Sequence, residues 1–276
     1  MKRKFYGYKI VKNKTNGEKI MKILAVGDVV GASGLEYLSS KLWSVRSSLN
    51  ADLCIVNGEN ASEIMGLSRS DALRILDAGA DVITLGNHSF GKRDIYPLLD
   101  DTEVIIRPSN FAPGTPGIGY TVVKVGGTRV LCMSLIGTVN MTPESSPFHE
   151  ADRILEREKG NYDLSVVDFH AEATSEKIAL GRYLDGRVSV VFGTHTHVQT
   201  ADEEIFPGGT AYITDIGMTG PVNGVIGVDA KISIRKLMTH MPEHFKVADG
   251  PCKARGALFE VDEQSGKAKS VKRIIF

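Results

Sequence analysis

Apolar and polar positions follow two rhythms along this chain. Residues 22–26 form a short apolar run of strand length. Beyond it Leu35, Leu38, Leu42, Val45 and Leu49 recur at steps of three and four, which draws one face of a helix. Residues 53–56 predict a second strand. Ser70 is placed to cap a helix carrying Ala72, Leu73, Ile75 and Leu76, with Gly79 stopping it. Residues 82–85 and 103–106 predict a third and a fourth strand. The runs 120–125 and 129–135 then flank Gly126-Gly127, the pattern of an antiparallel hairpin. A helix over 151–159, a strand over 164–167, a helix over 175–184 and a strand over 188–192 restore the alternation. The tail returns to strands at 211–214 and 225–228 and to a hairpin from 257–261 to 271–276. Alternating strands and helices predict the α/β class. Nothing resembling a linker or repeat divides 21–276, so one domain is expected there.

Charge changes this picture at one end. The whole chain balances 33 basic against 33 acidic side chains, but the first twenty residues hold seven of the basic groups and a single acid, Glu18. The remainder stands at −6, a poor partner for long nucleic acid, which needs a basic face. Residues 1–20 therefore read as a basic extension, with the working protein expected to begin at Met21; Gly17-Glu18-Lys19 is compatible with a purine-rich ribosome-binding sequence read as protein. A tail that contacts phosphates is the alternative. No apolar stretch reaches the roughly 20 residues that cross a bilayer, and the basic start has no secretory h-region, so no membrane partner is expected. Cys54, Cys132 and Cys252 are odd in number and form no C-x-x-C, which argues against a disulfide scaffold or structural zinc and for a reducing cytoplasm.

The candidate chemistry lies where the apolar runs end. They lead into Gly27-Asp28, Asn57-Gly58-Glu59-Asn60, Gly86-Asn87-His88, Asp168-Phe169-His170 and Gly193-Thr194-His195-Thr196-His197. In open α/β sheets ligands bind beyond the carboxyl ends of the strands, so these polar ends are expected to converge. Oxygen and imidazole donors without thiolate suit manganese, iron or zinc. On an extended segment His195 and His197 would point the same way, one imidazole for each of two neighbouring metals. The glycines ahead of Asp28, Asn87 and Thr194 are expected to allow sharp turns. Each motif alone has a plain structural reading, such as a turn aspartate or a core histidine; their conjunction carries the inference. His149, His240 and His244 follow no apolar strand and are read as surface or structural.

At these positions the sequence resembles the calcineurin-like metallophosphoesterases. Gly27-Asp28, Gly86-Asn87-His88 and Gly193-Thr194-His195-Thr196-His197 match their first, third and last motifs. Glu59 stands where an aspartate is usual, and Ser89-Phe90-Gly91 replaces a common glutamate; both variants, with 215–221, resemble the YmdB-type branch of bacterial cyclic-nucleotide phosphodiesterases. The resemblance implies a four-layer αββα sandwich with mixed sheets over 21–276, an oligomer, and two metal ions, iron or manganese. It implies that Asp28 and His197 hold one metal, that Asn87, His170 and His195 hold the other, and that Glu59 bridges them. His88 would sit near the leaving group and Asn60 near the phosphate or the metal. The implied activity is hydrolysis of 2′,3′-cyclic nucleotides, a small phosphodiester substrate, by in-line attack of a metal-activated hydroxide. The alternatives are a phosphomonoesterase or nuclease on the same site, or a signalling protein that binds a nucleotide with little turnover. Met218 and Thr219 are candidates for base contact.

Overall fold

The computed structural model describes residues 19–276. The expectation for 1–20 thus falls almost wholly outside the described residues; Ile20 already belongs to the first strand. Along the chain, β1 (Ile20–Val26), β2 (Asp28–Val29), α1 (Gly31–Leu49), β3 (Leu53–Asn57), α2 (Arg69–Asp77), β4 (Val82–Thr84), α3 (Tyr96–Asp101) and β5 (Ile105–Ile106) make the first half. There follow β6 (Tyr120–Val125), β7 (Thr128–Ile136), α4 (Pro147–Arg157), β8 (Leu164–His170), α5 (Thr174–Tyr183), β9 (Val190–Thr194), β10 (Glu204–Ile205) and β11 (Ala211–Ile213). The chain closes with β12 (Met218–Pro221), α6 (Ala230–Thr239), β13 (Cys252–Asp262) and β14 (Ala268–Ile275).

The strands form two mixed sheets. One runs β2-β12-β13-β1-β3-β4-β5, with β14 also on β13; the other runs β10-β11-β9-β8-β7-β6. Period-two alternation decides what each strand touches. Leu24 and Val26 of β1 and Cys54 and Val56 of β3 turn toward Leu35, Leu38 and Leu42 of α1 and Ile75 of α2. Their neighbours Ile23, Ala25 and Ile55 face the other sheet and pack with Val130, Cys132, Val166, Val190 and Phe192. The far faces of β7 and β8, with Leu131, Met133, Val167 and Phe169, are covered by Ala151 and Ile154 of α4 and Leu180 of α5. Three apolar layers between four layers of elements give the αββα sandwich that the resemblance implies.

Several local expectations shift. The cap of α2 is Ser68, whose side chain accepts from Asp71 N–H, not Ser70. The strand expected at 188–192 lies two residues later, and that at 103–106 shortens to its last two residues. Residues 225–228 are no strand: Val225 and Val228 pair with each other across a tight turn in which Ile226 and Gly227 are left-handed, at φ 46° and 93°. The helix α6 is not foreshadowed by an inward apolar stripe, because Ile234, Leu237 and Met238 on it face solvent. Among the described residues no helix is long and apolar enough to cross a membrane.

Candidate metal centre

The two sheets deliver their polar ends to one place. From the first sheet, Asp28 lies on β2, Glu59 and Asn60 follow β3, and Asn87 and His88 follow β4. From the second, His170 is the last residue of β8, and His195 and His197 follow β9. His170 Nε2 lies 2.9 Å from Asn87 Oδ1, 3.0 Å from His195 Nδ1 and 3.2 Å from Glu59 Oε1. On the other side of Glu59, His197 Nε2 is 3.7 Å from Asp28 Oδ1 and 3.3 Å from Asn60 Nδ2. Asn60 Nδ2 donates to Glu59 Oε1 at 3.0 Å, which leaves its Oδ1 to His88 Nδ1 at 2.8 Å. Every candidate residue is thereby linked into one cluster.

The outer partners fix which ring nitrogen faces inward. His170 Nδ1 meets Thr194 Oγ1 at 2.9 Å, and because that hydroxyl donates to Asp168 Oδ1 at 2.7 Å, it accepts from the imidazole. His195 Nε2 donates to Glu172 at 3.0 Å, and His197 Nδ1 donates to the Ile226 carbonyl at 2.9 Å. Each histidine therefore turns its other ring nitrogen to the centre. There His170 Nε2 crowds against Asn87 Oδ1, Glu59 Oε1 and His195 Nδ1, and His197 Nε2 faces Asp28 Oδ1 at 3.7 Å. Asp28 Oδ1, wholly buried, has no hydrogen-bond partner. Such a donor set requires positive charge at its middle, and its oxygen–imidazole composition suits divalent cations. Glu59, His170 and His195 by themselves bring three ligand atoms within 4.8 Å of one another.

The electrostatics tell the same story for the protein without metal. Burial disfavours an imidazolium at His170, but Glu59, hydrogen-bonded to it, and Asp28 outweigh burial and push its pKa up to about 9. Burial, reinforced by the charge of His170, pushes His195 down to about 3. Burial opposes ionisation of Glu59, yet His170 and His88 hold its carboxyl well below the usual range. Burial raises Asp28 despite His197 and His170. A single proton on His170 thus stands in for a cation.

Two local expectations change at the centre. His195 and His197 do not lie on an extended segment: β9 ends at Thr194, and both histidines are left-handed, at φ 96° and 65°. Gly27, Gly86 and Gly193 adopt no positive φ; what they supply is space. A Cβ at Gly86 would stand 2.3 Å from Glu59 Oε2 and from His170 Nε2, inside the centre itself. Sequence reasoning assigns no role to the supports, although Asn57 and Asp168 stand in the strand-end motifs. Asp168, pushed up to about 6 by burial, holds Thr194, and Asn57 links Asp168 to the Glu59 backbone. Glu172, two residues beyond His170, orients His195, and Asp215 anchors the histidine loop. None of these shows a spacing signal of its own, since their partners lie on other segments.

Comparison with known proteins agrees with this architecture. Residues 24–274 match the YmdB-like protein family. The chain is 43% identical over 255 residues to the 2′,3′-cyclic-nucleotide 2′-phosphodiesterase of Bacillus subtilis, covering 92% of this chain and 97% of that protein. A crystal structure of a hypothetical protein from Thermus thermophilus superposes with a TM-score of 0.88 at 39% identity, covering 93% of this chain and 99% of the other. A crystal structure of a novel phosphatase from Mycoplasma pneumoniae gives a TM-score of 0.88 at 35% identity and covers 94% of both chains. Full-length similarity, the αββα sandwich and a carboxylate–imidazole centre at the strand ends converge: the chain belongs to the YmdB-like family, within the calcineurin-like metallophosphoesterases.

Proposed function

We propose that this protein is a dinuclear-metal phosphodiesterase that hydrolyses 2′,3′-cyclic nucleotides at the 2′ bond. The observation that carries the reading is the gathering of carboxylate, amide-oxygen and imidazole donors around His170 Nε2, His195 Nδ1 and the partnerless Asp28 Oδ1; likeness to the Bacillus subtilis enzyme supplies the substrate class. In this reading Asp28 and His197 would hold one ion, Asn87, His170 and His195 would hold the other, and Glu59 would serve both. Iron or manganese suits these donors. When bound, the ions supply a water acidified toward neutral pH and positive charge for the phosphate.

The chain's own groups do the remaining work. His88, held through Nδ1 by Asn60, is placed to act as general acid through its opposite nitrogen, Nε2, toward the departing ribose oxygen. Asn60 is fixed between Glu59 and His88, and with His197 Nε2 turned to an ion the N–H that now faces it would be free for a phosphate oxygen. With His88 half-buried and Glu59 and Asp28 wholly so, the carboxylates remain aligned before substrate arrives. No serine or cysteine nucleophile is required. A phosphomonoesterase is the second reading, favoured by the Mycoplasma pneumoniae phosphatase of the same fold.

Metal analysis of protein purified without added metal, paired with a substrate panel, tests the proposal. Two equivalents of iron or manganese and turnover of 2′,3′-cyclic AMP to the 3′-monophosphate are expected, with 3′,5′-cyclic AMP, nucleoside monophosphates and short RNA turned over more slowly. Preferred release of phosphate from monoesters would overturn it in favour of the second reading.

A further inference from the structure

A cleft of about 980 Å³ opens directly beside the metal centre and shares Asn87 and His88 with it. Its walls come from three segments. Phe90 stands on the first, two residues after His88. Its carbonyl accepts from Tyr96 Oη at 2.9 Å, and its ring lies edge-on to Tyr96 and tilted against Phe111, with centroids 5.7 and 5.6 Å apart. Met65 stands on the second, which closes on the first where Gly66 and Gly91 pass too near each other for a Cβ. Phe245 stands on the third, with Lys236 Nζ 4.2 Å from its ring centroid.

The third wall is braced to the centre. Ala248 N–H donates to Gly227 O and Asp229 N–H to Lys246 O, both at 2.9 Å, and Val247 bridges Val228. The same turn offers the Ile226 carbonyl to His197. Met65 and Phe245 are nevertheless 57% and 41% exposed, large apolar groups left uncovered at the rim of a concave site. Of the charged side chains here, Lys92 pairs with Glu63 at 2.6 Å and Glu243 with Arg235, while Lys246 and Asp249 stand exposed at the rim. Between those charges the cleft offers a ligand the apolar and aromatic surface of Met65, Phe90 and Phe245.

We propose that this cleft is the nucleobase subsite. The inference rests on the phosphodiesterase reading above. A 2′,3′-cyclic phosphate held at the metals with a ribose oxygen at His88 carries two further appendages, a hydroxymethyl group and the base, and the base is the flat, apolar one that matches these walls. The volume lies within the range of about 300–1,000 Å³ typical of small-molecule pockets and takes a whole nucleoside. Because stacking accepts any π-face, recognition is tolerant of base identity, with purines ahead of pyrimidines by their larger area.

The test compares kcat/KM for 2′,3′-cyclic AMP with that for the base-free 2′,3′-cyclic phosphate of methyl riboside, in metal-loaded wild type, Phe245→Ala and Phe245→Tyr. Wild type is expected to favour the nucleotide by about tenfold or more, mainly through KM. Phe245→Ala is expected to bring that ratio near one, and Phe245→Tyr to restore it. A wild type without the preference, or an alanine variant that keeps it, overturns the subsite while leaving the phosphodiesterase standing. A wild type that cleaves neither compound overturns both.

Discussion

Thr196 gives both its N–H and its hydroxyl to one oxygen of Asp215, at 3.1 and 2.8 Å. That residue separates His195 from His197, so the carboxylate holds the left-handed loop that carries two of the candidate ligands. Lys177 Nζ reaches the same oxygen at 2.7 Å, in an ion pair buried on both sides. Removing one member of such a pair leaves an uncompensated charge away from water. Lys177→Met is therefore expected to lower stability by about 3–5 kcal/mol. Urea unfolding measures this, and a loss within error of zero would contradict the clamp.

Gly86→Ala sets a methyl group between Glu59 and His170. Both partners are buried, and neither has room to retreat. The variant is expected to keep its circular dichroism while losing bound metal. Normal metal content after the substitution would show that the centre yields, contrary to this geometry.

Glu172 offers a cleaner probe of the outer partners, because its side chain is half exposed and little packing is lost with it. Glu172→Ala should cost about 10- to 100-fold in metal affinity, the usual effect of removing a carboxylate that orients a ligating histidine. Competition with a chelator would measure it. Stability should change little, which separates this variant from Lys177→Met.

His88→Ala should retain metal and lose about 10²- to 10⁴-fold in turnover on a cyclic nucleotide, the range of general acid catalysis. A diester with a good leaving group, such as bis(p-nitrophenyl) phosphate, needs no such proton and should lose far less. Equal losses on both substrates would remove the acid role from His88.

Metal uptake should expel a proton. In the metal-free protein the pKa of His170 is raised from the ordinary 6.5 to about 9, so near neutrality a proton occupies the nitrogen a ligand must expose. The sign follows: this group stabilises the metal-free fold fully below pH 6.5, and that contribution fades as pH rises through about 9. Metal affinity should move oppositely, gaining about tenfold per pH unit across that window. Calorimetry in buffers of different ionisation enthalpy would count the proton. No release at pH 7 would contradict the raised value.

Much of this site was legible before any coordinates. Asp28, Glu59, Asn87, His170 and His195 each sit at or just beyond the end of an apolar run, and strands that end together bring their ends together. The four layers came from the family resemblance alone: 22–26 and 53–56 read as unbroken apolar runs, and a strand buried on both faces shows no alternation to separate them. What escaped were features made by distant partners. The His195–His197 conformation is imposed by Asp215, and the turn at 225–228 is indistinguishable by hydropathy from a short strand until Gly227 takes a left-handed φ. The pairing of β2 with β12, which seats Asp28 beside Met218, involves two-residue registers too short for any period to reveal.

The turn at Ile226 and Gly227 bears on how such an enzyme can be re-engineered. One of its carbonyls orients His197 and the next anchors the segment bearing Phe245. Grafting a foreign 243–250 loop to change selectivity would therefore not be a modular swap. A replacement that pulls Gly227 out of line would loosen a proposed cation ligand as it reshapes the cleft, so altered preference and weakened cofactor retention are expected to emerge together, and successful grafts would have to carry residues 225–229 with them.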